Sequence, residues 1–352
     1  MRKLTLIAAL AMTAVIVAAC SAPAQIRELQ VAESQERSGD YEKALESYRS
    51  AQITCTTVSS RRRRRDSCAA AHMQYAELLV TMSRKQEAIT AYREAEKELT
   101  HSPPAAAQAS YSAGLLYLDL GNDTAAYEHF WRTVTDYPAE AFAADAVKQL
   151  LRHGRSVAPK ELFLEFEKLR ESLSGTQIDD NLLRSMADLQ EKELDSPKVA
   201  LFYYDRLVKL YRQSGFYDDA LWHGARISRS LGDPQGAVTR LRKLLGTREV
   251  AFGAGSYFSL WLDNGQLELG IVLRDDLQDY EGAIRAFSRL PSDYPASILK
   301  DDALFERAVT KARAKRTKDA CKDLAKLRKS YPDGKYELSK APKLRSALGC
   351  SL

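Results

Sequence analysis

Long strand-forming runs of Val, Ile and Thr are missing from this 352-residue chain, and so are the residue patterns most often tied to chemistry. The five histidines, His72, His101, His129, His153 and His223, are scattered. None forms His-Glu-x-x-His or a visible dyad, so a zinc hydrolase or a histidine relay has no footing. Gly253-Ala254-Gly255 has no third glycine at the right spacing and no strand before it, which excludes the dinucleotide fingerprint. Ser297-Ile298-Leu299-Lys300 has the spacing of an acylating serine but lacks the accompanying Ser-Asp-Asn and Lys-Thr-Gly elements. No cysteine pair is a Cys-x-x-Cys, so neither a metal site nor a cofactor is expected. The acid pairs Asp179-Asp180 and Asp275-Asp276 read as helix-capping and helix-dipole residues rather than acid–base catalysts. Together these absences point away from an enzyme.

One long hydrophobic run is present: Leu4 to Ala19, behind the basic start Met1-Arg2-Lys3. A bilayer helix needs about 20 residues, so this shorter run reads as an export signal. It ends Val17-Ala18-Ala19-Cys20, which resembles the lipobox of bacterial lipoproteins. The resemblance implies cleavage of residues 1–19, palmitate-type acylation of Cys20, and residues 20–25 as a short tether. Ser21 stands where an aspartate would mark inner-membrane retention, so the implied address is the periplasmic face of the outer membrane. An ordinary secreted protein or an uncleaved anchor is the alternative.

Without residues 1–19 the balance is 50 basic to 47 acidic side chains, since the signal holds Arg2 and Lys3 and no acid. The charge is unevenly spread. Arg307 to Arg345 carries 14 Lys and Arg against four acids, which makes the C-terminal end a candidate for an anionic partner. Export makes nucleic acid an unexpected partner.

With Cys20 taken by lipid, four cysteines remain, an even number for an oxidising periplasm. Of the three pairings, Cys55 with Cys68 and Cys321 with Cys350 is the most economical. Each would close a loop of roughly 15 to 30 residues, worth about 3 kcal/mol in the chain-entropy treatment; a zinc site is the rival reading. The first pair brackets CTTVSSRRRRRDSC, residues 55–68. Arg61, Arg62, Arg63, Arg64 and Arg65 repel one another and are expected in a solvated loop with the disulfide at its neck. Contact with anionic phospholipid headgroups is the functional alternative.

Apolar residues recur at three- and four-residue spacing throughout, which predicts an all-α protein. Gly39-Asp40-Tyr41-Glu42-Lys43-Ala44-Leu45 followed by Tyr48 sets a register of one small and one aromatic residue per helix. It returns as Ala88/Tyr92, Ala126/Phe130, Ala200/Tyr204, Ala237/Leu241, Ala283/Phe287 and Ala320/Leu324, at steps of 44, 38, 74, 37, 46 and 37. The preceding helices supply Gly114, Ala225, Gly270 and Ala308. Small residues there let paired helices approach, and the aromatics are expected to fill the space between units. The chain at this point resembles the tetratricopeptide repeat family. That implies an α-solenoid, a right-handed superhelix of helix-turn-helix repeats over residues 26–340, with 341–352 as a cap or tail. The step of 74 holds a degenerate unit near Leu162 to Phe166. Tyr137-Pro138, Tyr294-Pro295 and Tyr331-Pro332 are read as stops of second helices. The longer unit is similar to that of periplasmic tetratricopeptide lipoproteins of the Gram-negative outer membrane, the β-barrel assembly and Tol-Pal coordinator type.

The implied role is a non-enzymatic scaffold that binds an envelope protein along its groove and meets the membrane through its lipid. Barrel assembly, pilus or secretin assembly, motility and Tol-Pal or division machinery all fit. The alternatives are the helical part of a peptidoglycan-acting enzyme, or a groove for carbohydrate or lipid. The surplus between Ala237 and Ala283 carries Phe252, Tyr257, Phe258 and Trp261. Phe258 and Trp261 either cover the seam between units or form a peptide-binding lip.

Overall fold

The computed structural model describes residues 24–55, 62–248 and 259–350. Among these the chain forms seventeen helices and no strand. They are α1 (Ala24–Arg37), α2 (Tyr41–Cys55), α3 (Arg62–Thr81), α4 (Lys85–Glu98), α5 (Pro103–Asp119) and α6 (Asp123–Asp136). Then follow α7 (Ala141–Val157), α8 (Pro159–Leu173), α9 (Asp179–Lys192), α10 (Pro197–Leu210), α11 (Tyr217–Ser230) and α12 (Pro234–Leu245). Last come α13 (Leu262–Asp275), α14 (Tyr280–Asp293), α15 (Lys300–Arg313), α16 (Thr317–Ser330) and α17 (Ala341–Leu348). No helix among the described residues is long and apolar enough to cross a membrane.

The pairing of these helices is set by a turn of one construction. A residue with left-handed backbone precedes each of seven even-numbered helices: Gly39 (φ 83°), Ser83 (60°), Gly121 (72°), Asp195 (45°), Gly232 (80°), Gln278 (55°) and Lys315 (60°). The amide after it reaches back five residues to a carbonyl of the outgoing helix, as in Arg84 N to Leu79 O (2.8 Å) and Asp233 N to Ser228 O (2.9 Å), or six after Asp195 and Gln278. This closes the helix end in a Schellman manner. The same short turn opens the next helix: Asn122, Asp233 and Asp279 accept from the amides of Ala125, Gly236 and Gly282. Such N-caps contribute about 1 kcal/mol each. One helix is therefore stopped and its antiparallel partner started within about three residues.

The alanines picked out by spacing, Ala44, Ala88, Ala126, Ala200, Ala237, Ala283 and Ala320, are all fully buried. The aromatics beside them serve both seams: Tyr92 meets Ser112 on the first helix of the next unit, while other rings also fill space within their own unit. A Cβ on Gly114 would stand 2.7 Å from the Phe130 ring, and one on Gly270 would lie within 2.7 Å of three ring atoms of Phe287. Each ring occupies the space its own unit's glycine leaves open. Tyr48 and Tyr204 are buried the same way and donate their hydroxyls to Glu36 (2.5 Å) and Glu191 (2.7 Å) on the preceding helix.

Exits follow the expected punctuation. α6, α14 and α16 end at Asp136, Asp293 and Ser330, with Tyr137, Tyr294 and Tyr331 as C-caps ahead of proline. Tyr211 does the same after α10 without a proline. Three odd-numbered helices, α9, α13 and α15, begin on acids that receive a hydrogen bond from a residue 34 positions on. Ser214 donates to Asp180 (2.5 Å), Ser297 to Asp263 (2.6 Å), and Tyr336 to Asp302 (2.9 Å). Asp179-Asp180 thus stands at a helix start as expected, but in this added role. Asp275-Asp276 stands at the turn that closes α13, where the dipole disfavours acids, and is held by Arg274, Arg313 and Arg229.

The chain divides into two compact units, residues 1–154 with 172–178, and 155–171 with 179–352. The division falls in the degenerate repeat, whose Leu162 and Phe166 are nevertheless buried. In the first unit α1 to α6 pack on their sequence neighbours, with α1 also touching α3 and α3 touching α5. In the second, α9 to α16 do likewise, with α13 touching α15. At its end α17 covers Leu304, Phe305, Leu324 and Leu327, Phe305 stacks on Tyr336 (4.3 Å), and Cys350 is joined to Cys321.

Two stability predictions follow from this packing. Gly270→Ala is expected to lower stability by about 1–3 kcal/mol through overpacking against Phe287. Gln278→Gly, eight residues away, trades left-handed strain for chain entropy and is expected to move stability by less than about 1 kcal/mol; denaturant midpoints measure both. Secondly, His129 is buried, stacked on Tyr117, and pushed down to about 4 by burial and by the charges of Arg132 and Arg93. The fold prefers the neutral ring, so its contribution is complete above the unfolded value of about 6.5 and is lost as pH falls toward 4. The expected loss is up to about 3 kcal/mol, and His129→Gln removes that slope from stability measured against pH.

Candidate partner-binding face

In the second unit, the odd-numbered helices α9, α11 and α13 bring together a polar and aromatic cluster that no short motif announced. Arg184 on α9 pairs with Asp188 one turn on and with Asp219 on α11 (3.1 Å). Asp188 also holds Lys192 at 2.9 Å. Tyr204 from α10 donates to Glu191 (2.7 Å), and Glu191 meets His223 Nδ1 of α11 at 3.0 Å. The His223 ring stacks on Tyr204 at 5.4 Å and lies edge-on to Trp261 at 5.9 Å. Trp261 in turn stacks on Trp222 at 5.3 Å and 11°, and its indole N–H donates to Asp219.

Charge in this cluster is settled by the pairing. Burial works to raise the Asp188 carboxyl, but Arg184 and Lys192 outweigh it and hold the group below the usual carboxylate range. Burial likewise opposes ionisation of Glu191, and hydrogen bonds from His223 and Tyr204 overcome it. Burial, with Asp188 and Glu191 nearby, keeps the Tyr204 phenol protonated far above its ordinary value. What the cluster supplies is a rigid surface bearing two half-buried tryptophans side by side, the residue type that most often anchors a protein interface.

The ladder of charges continues along the same helices. Arg229 of α11 reaches Glu268 and Asp276 of α13, both at 2.7 Å, and Arg274 of α13 pairs with Glu306 of α15. These links fix neighbouring odd helices in register. Among the described residues there is no group of three or more His, Cys, Asp and Glu side chains that could hold a metal ion.

The residues singled out from the sequence fall as follows. Cys20, Arg61 and Phe258 lie outside the described residues, as do Phe252 and Tyr257. Cys55 and Cys68 are joined with Cα atoms 5.7 Å apart, and Cys321 and Cys350 at 5.5 Å. Arg62, Arg63, Arg64 and Arg65 are not in a loop. Their backbone is the first turn of α3, so Cys68 sits inside that helix rather than at its start. Residues 56–67 hold no glycine or proline to break a helix, and arginine is a good helix former, which together outweigh the repulsion in the run. Trp261 is packed on Trp222 and Asp219, so it does cover the seam between α11 and α13. Tyr204 was picked out from the sequence only as a repeat ring and His223 only as a scattered histidine, and Trp222 was not selected; what joins them is the alignment of α9, α10 and α11, which no short motif records.

Residues 265–297 and 302–334, covering most of α13 to α16 with the Tyr-Pro turns, match the profile of the family described as Tetratricopeptide repeat. These two stretches are tetratricopeptide repeats. No curated protein matches the chain in sequence. Among solved structures the chain is similar to the MamA protein, at 12% identity over 59% of this chain and 97% of that one, with a TM-score of 0.41. It is also similar to the C-terminal part of a TPR repeat-containing protein from Cytophaga hutchinsonii, at 14% identity over 78% and 99%, TM-score 0.47. PilW, described as a widely conserved type IV pilus biogenesis factor, matches at 13% identity over 77% and 97%, TM-score 0.37.

If the two tryptophans act together, their energies are coupled. Trp222→Ala and Trp261→Ala are each expected to destabilise the protein, and the double variant to fall short of their sum by about 1 kcal/mol. Strictly additive losses in urea titrations would mean that the rings do not interact.

Proposed function

We propose that this protein is a non-enzymatic scaffold, held by lipid on Cys20 at the periplasmic face of the outer membrane, whose repeats bind a partner protein of an envelope complex. Binding partner proteins is the general role of tetratricopeptide repeats, and the all-α repeat fold of this chain is built for it. One observation carries the rest of the reading. The four cysteines beyond residue 20 pair with each other, Cys55 with Cys68 and Cys321 with Cys350. Structural disulfides fit an oxidising compartment, and the pairing leaves Cys20, at the end of the lipobox-like run, as the one cysteine available for a different chemistry.

The surface that fits the partner is the row of odd-numbered helices carrying Trp222 and Trp261. The C-terminal cap adds a basic stripe. Part of its positive charge is used internally, as in Arg307 and Lys311 with Asp323, Lys335 with Asp302 and Arg345 with Glu337. Lys315, Lys318, Lys326, Arg328 and Lys329 remain exposed, a surface for anionic lipid or peptidoglycan.

Labelling cells with radioactive palmitate is expected to mark the native protein and not Cys20→Ser; an unlabelled native protein would refute the anchor. Photocrosslinking from position 222 in vivo is expected to trap one envelope protein in an adduct that Trp261→Ser weakens without unfolding the chain. A clearing band from the purified protein on peptidoglycan zymography would instead make it part of a murein-acting enzyme.

A further inference from the structure

A second recognition site lies on different residues. A cleft of about 550 Å³ opens between α12, α13 and α14. Its floor is apolar, with Leu245, Leu269, Leu273 and Ala286, and four arginines stand around it: Arg242, Arg248, Arg285 and Arg289. A single acid, Asp293, shares the space. It is already engaged twice, by Arg248 at 3.1 Å and by Arg289 at 3.0 Å. Arg248 is further fixed by a hydrogen bond to the Asp293 carbonyl and by the Tyr294 ring, 5.2 Å from its guanidinium. The exposed side chains of Arg242, on one wall, and Arg285, on the other, make no ion pair or hydrogen bond among the described residues.

The cleft has a counterpart in the first unit that lacks this surplus. There a cleft of about 580 Å³ is lined by Arg93, Lys97, Arg132 and Tyr137 together with Glu94 and Glu96. Arg93 follows Ala88 by five positions as Arg242 follows Ala237, and Arg132 follows Ala126 by six as Arg289 follows Ala283. Tyr137 and Tyr294 are both helix C-caps. In the first unit Arg132 meets Glu96 at 3.5 Å, and two acids face three bases. The groove is therefore a product of the repeat, while the unbalanced charge is particular to the second unit.

We propose that the cleft between α12 and α14 is a docking site for an acidic, partly apolar segment of a partner protein. Two features select that ligand. Guanidinium groups on both walls match carboxylates in planar, bidentate fashion, and they stand on opposite sides of an apolar floor, so the occupant must span the cleft and place a hydrocarbon side chain between its charges. A single small anion would leave the leucines uncovered. About 550 Å³ is within the range of ligand-sized clefts. The site shares no residue with the tryptophan face and does not depend on attachment to a membrane, so it stands or falls separately from the proposed function.

The test uses the full chain in detergent and two fluorescein-labelled peptides of about twelve residues. One has glutamates flanking leucines, and the other has glutamine for every glutamate. Fluorescence anisotropy is expected to show the acidic peptide bound at least about tenfold tighter. Arg242→Glu/Arg285→Glu is expected to erase that preference, and Arg242→Gln/Arg285→Gln to weaken it, with the helical circular dichroism unchanged in both. Arg93→Glu, in the balanced cleft, is expected to leave it intact. No saturable binding, equal affinity for the two peptides, or a preference that survives charge reversal overturns the proposal. So does displacement by millimolar inorganic phosphate, or binding to phosphatidylglycerol vesicles that takes over the dependence on Arg242 and Arg285, since either makes the site a phosphate site.

Discussion

The structure depends on how closely two antiparallel helices can approach. In two repeats a glycine on the first helix faces a ring on the second, Gly114 against Phe130 and Gly270 against Phe287, and the turn between the helices is short. Gly270 against Phe287 shows the constraint at its sharpest: the contact leaves no room for a single methyl group. Because that contact sets the distance within a pair, it also sets where the next pair can begin. The buried alanines are then placed to receive their neighbours, since interiors packed to crystal-like density leave no slack to absorb an error.

Polar groups add a second layer that links one repeat to the next. The acids at helix starts accept from hydroxyls in a later linker, as in Ser297 to Asp263 and Tyr336 to Asp302. The odd-numbered helices are joined by arginine and carboxylate pairs, among them Arg229 with Glu268 and Asp276. Several of these pairs are shielded, so removing one partner leaves a desolvated charge and costs far more than a surface pair is worth. The hydrophobic contacts say how helices pack, and the polar ones say which helix follows which.

Much of the fold was legible because it is periodic. Spacing alone found the buried alanines from Ala44 to Ala320, the rings beside them, and the Tyr-Pro stops at Tyr137, Tyr294 and Tyr331. It failed where the deciding contact joins residues far apart or where two local tendencies compete. Tyr211 ends a helix without the proline that flagged its relatives. The arginine run looked like a loop because repulsion was weighed above helix propensity. Of the candidate sites, Trp261 stood out through the surplus length around it and Tyr204 through the repeat register, but Trp222 and His223 carry no local signature that ties them to either. Arg242 and Arg285 are ordinary surface arginines in the sequence, and only the packing of α12 and α14 on α13 gathers them around one floor.

The last helix gives the chain a boundary. A stack of identical pairs has no natural end, because the face that would receive the next pair is as apolar as every face before it. Here that face, with Leu304, Phe305, Leu324 and Leu327, is closed by the short α17, and Cys321–Cys350 holds the lid by a covalent bond. The lid is thus tied to the helix it covers, so a transient loosening of α17 cannot carry it away from the apolar face beneath.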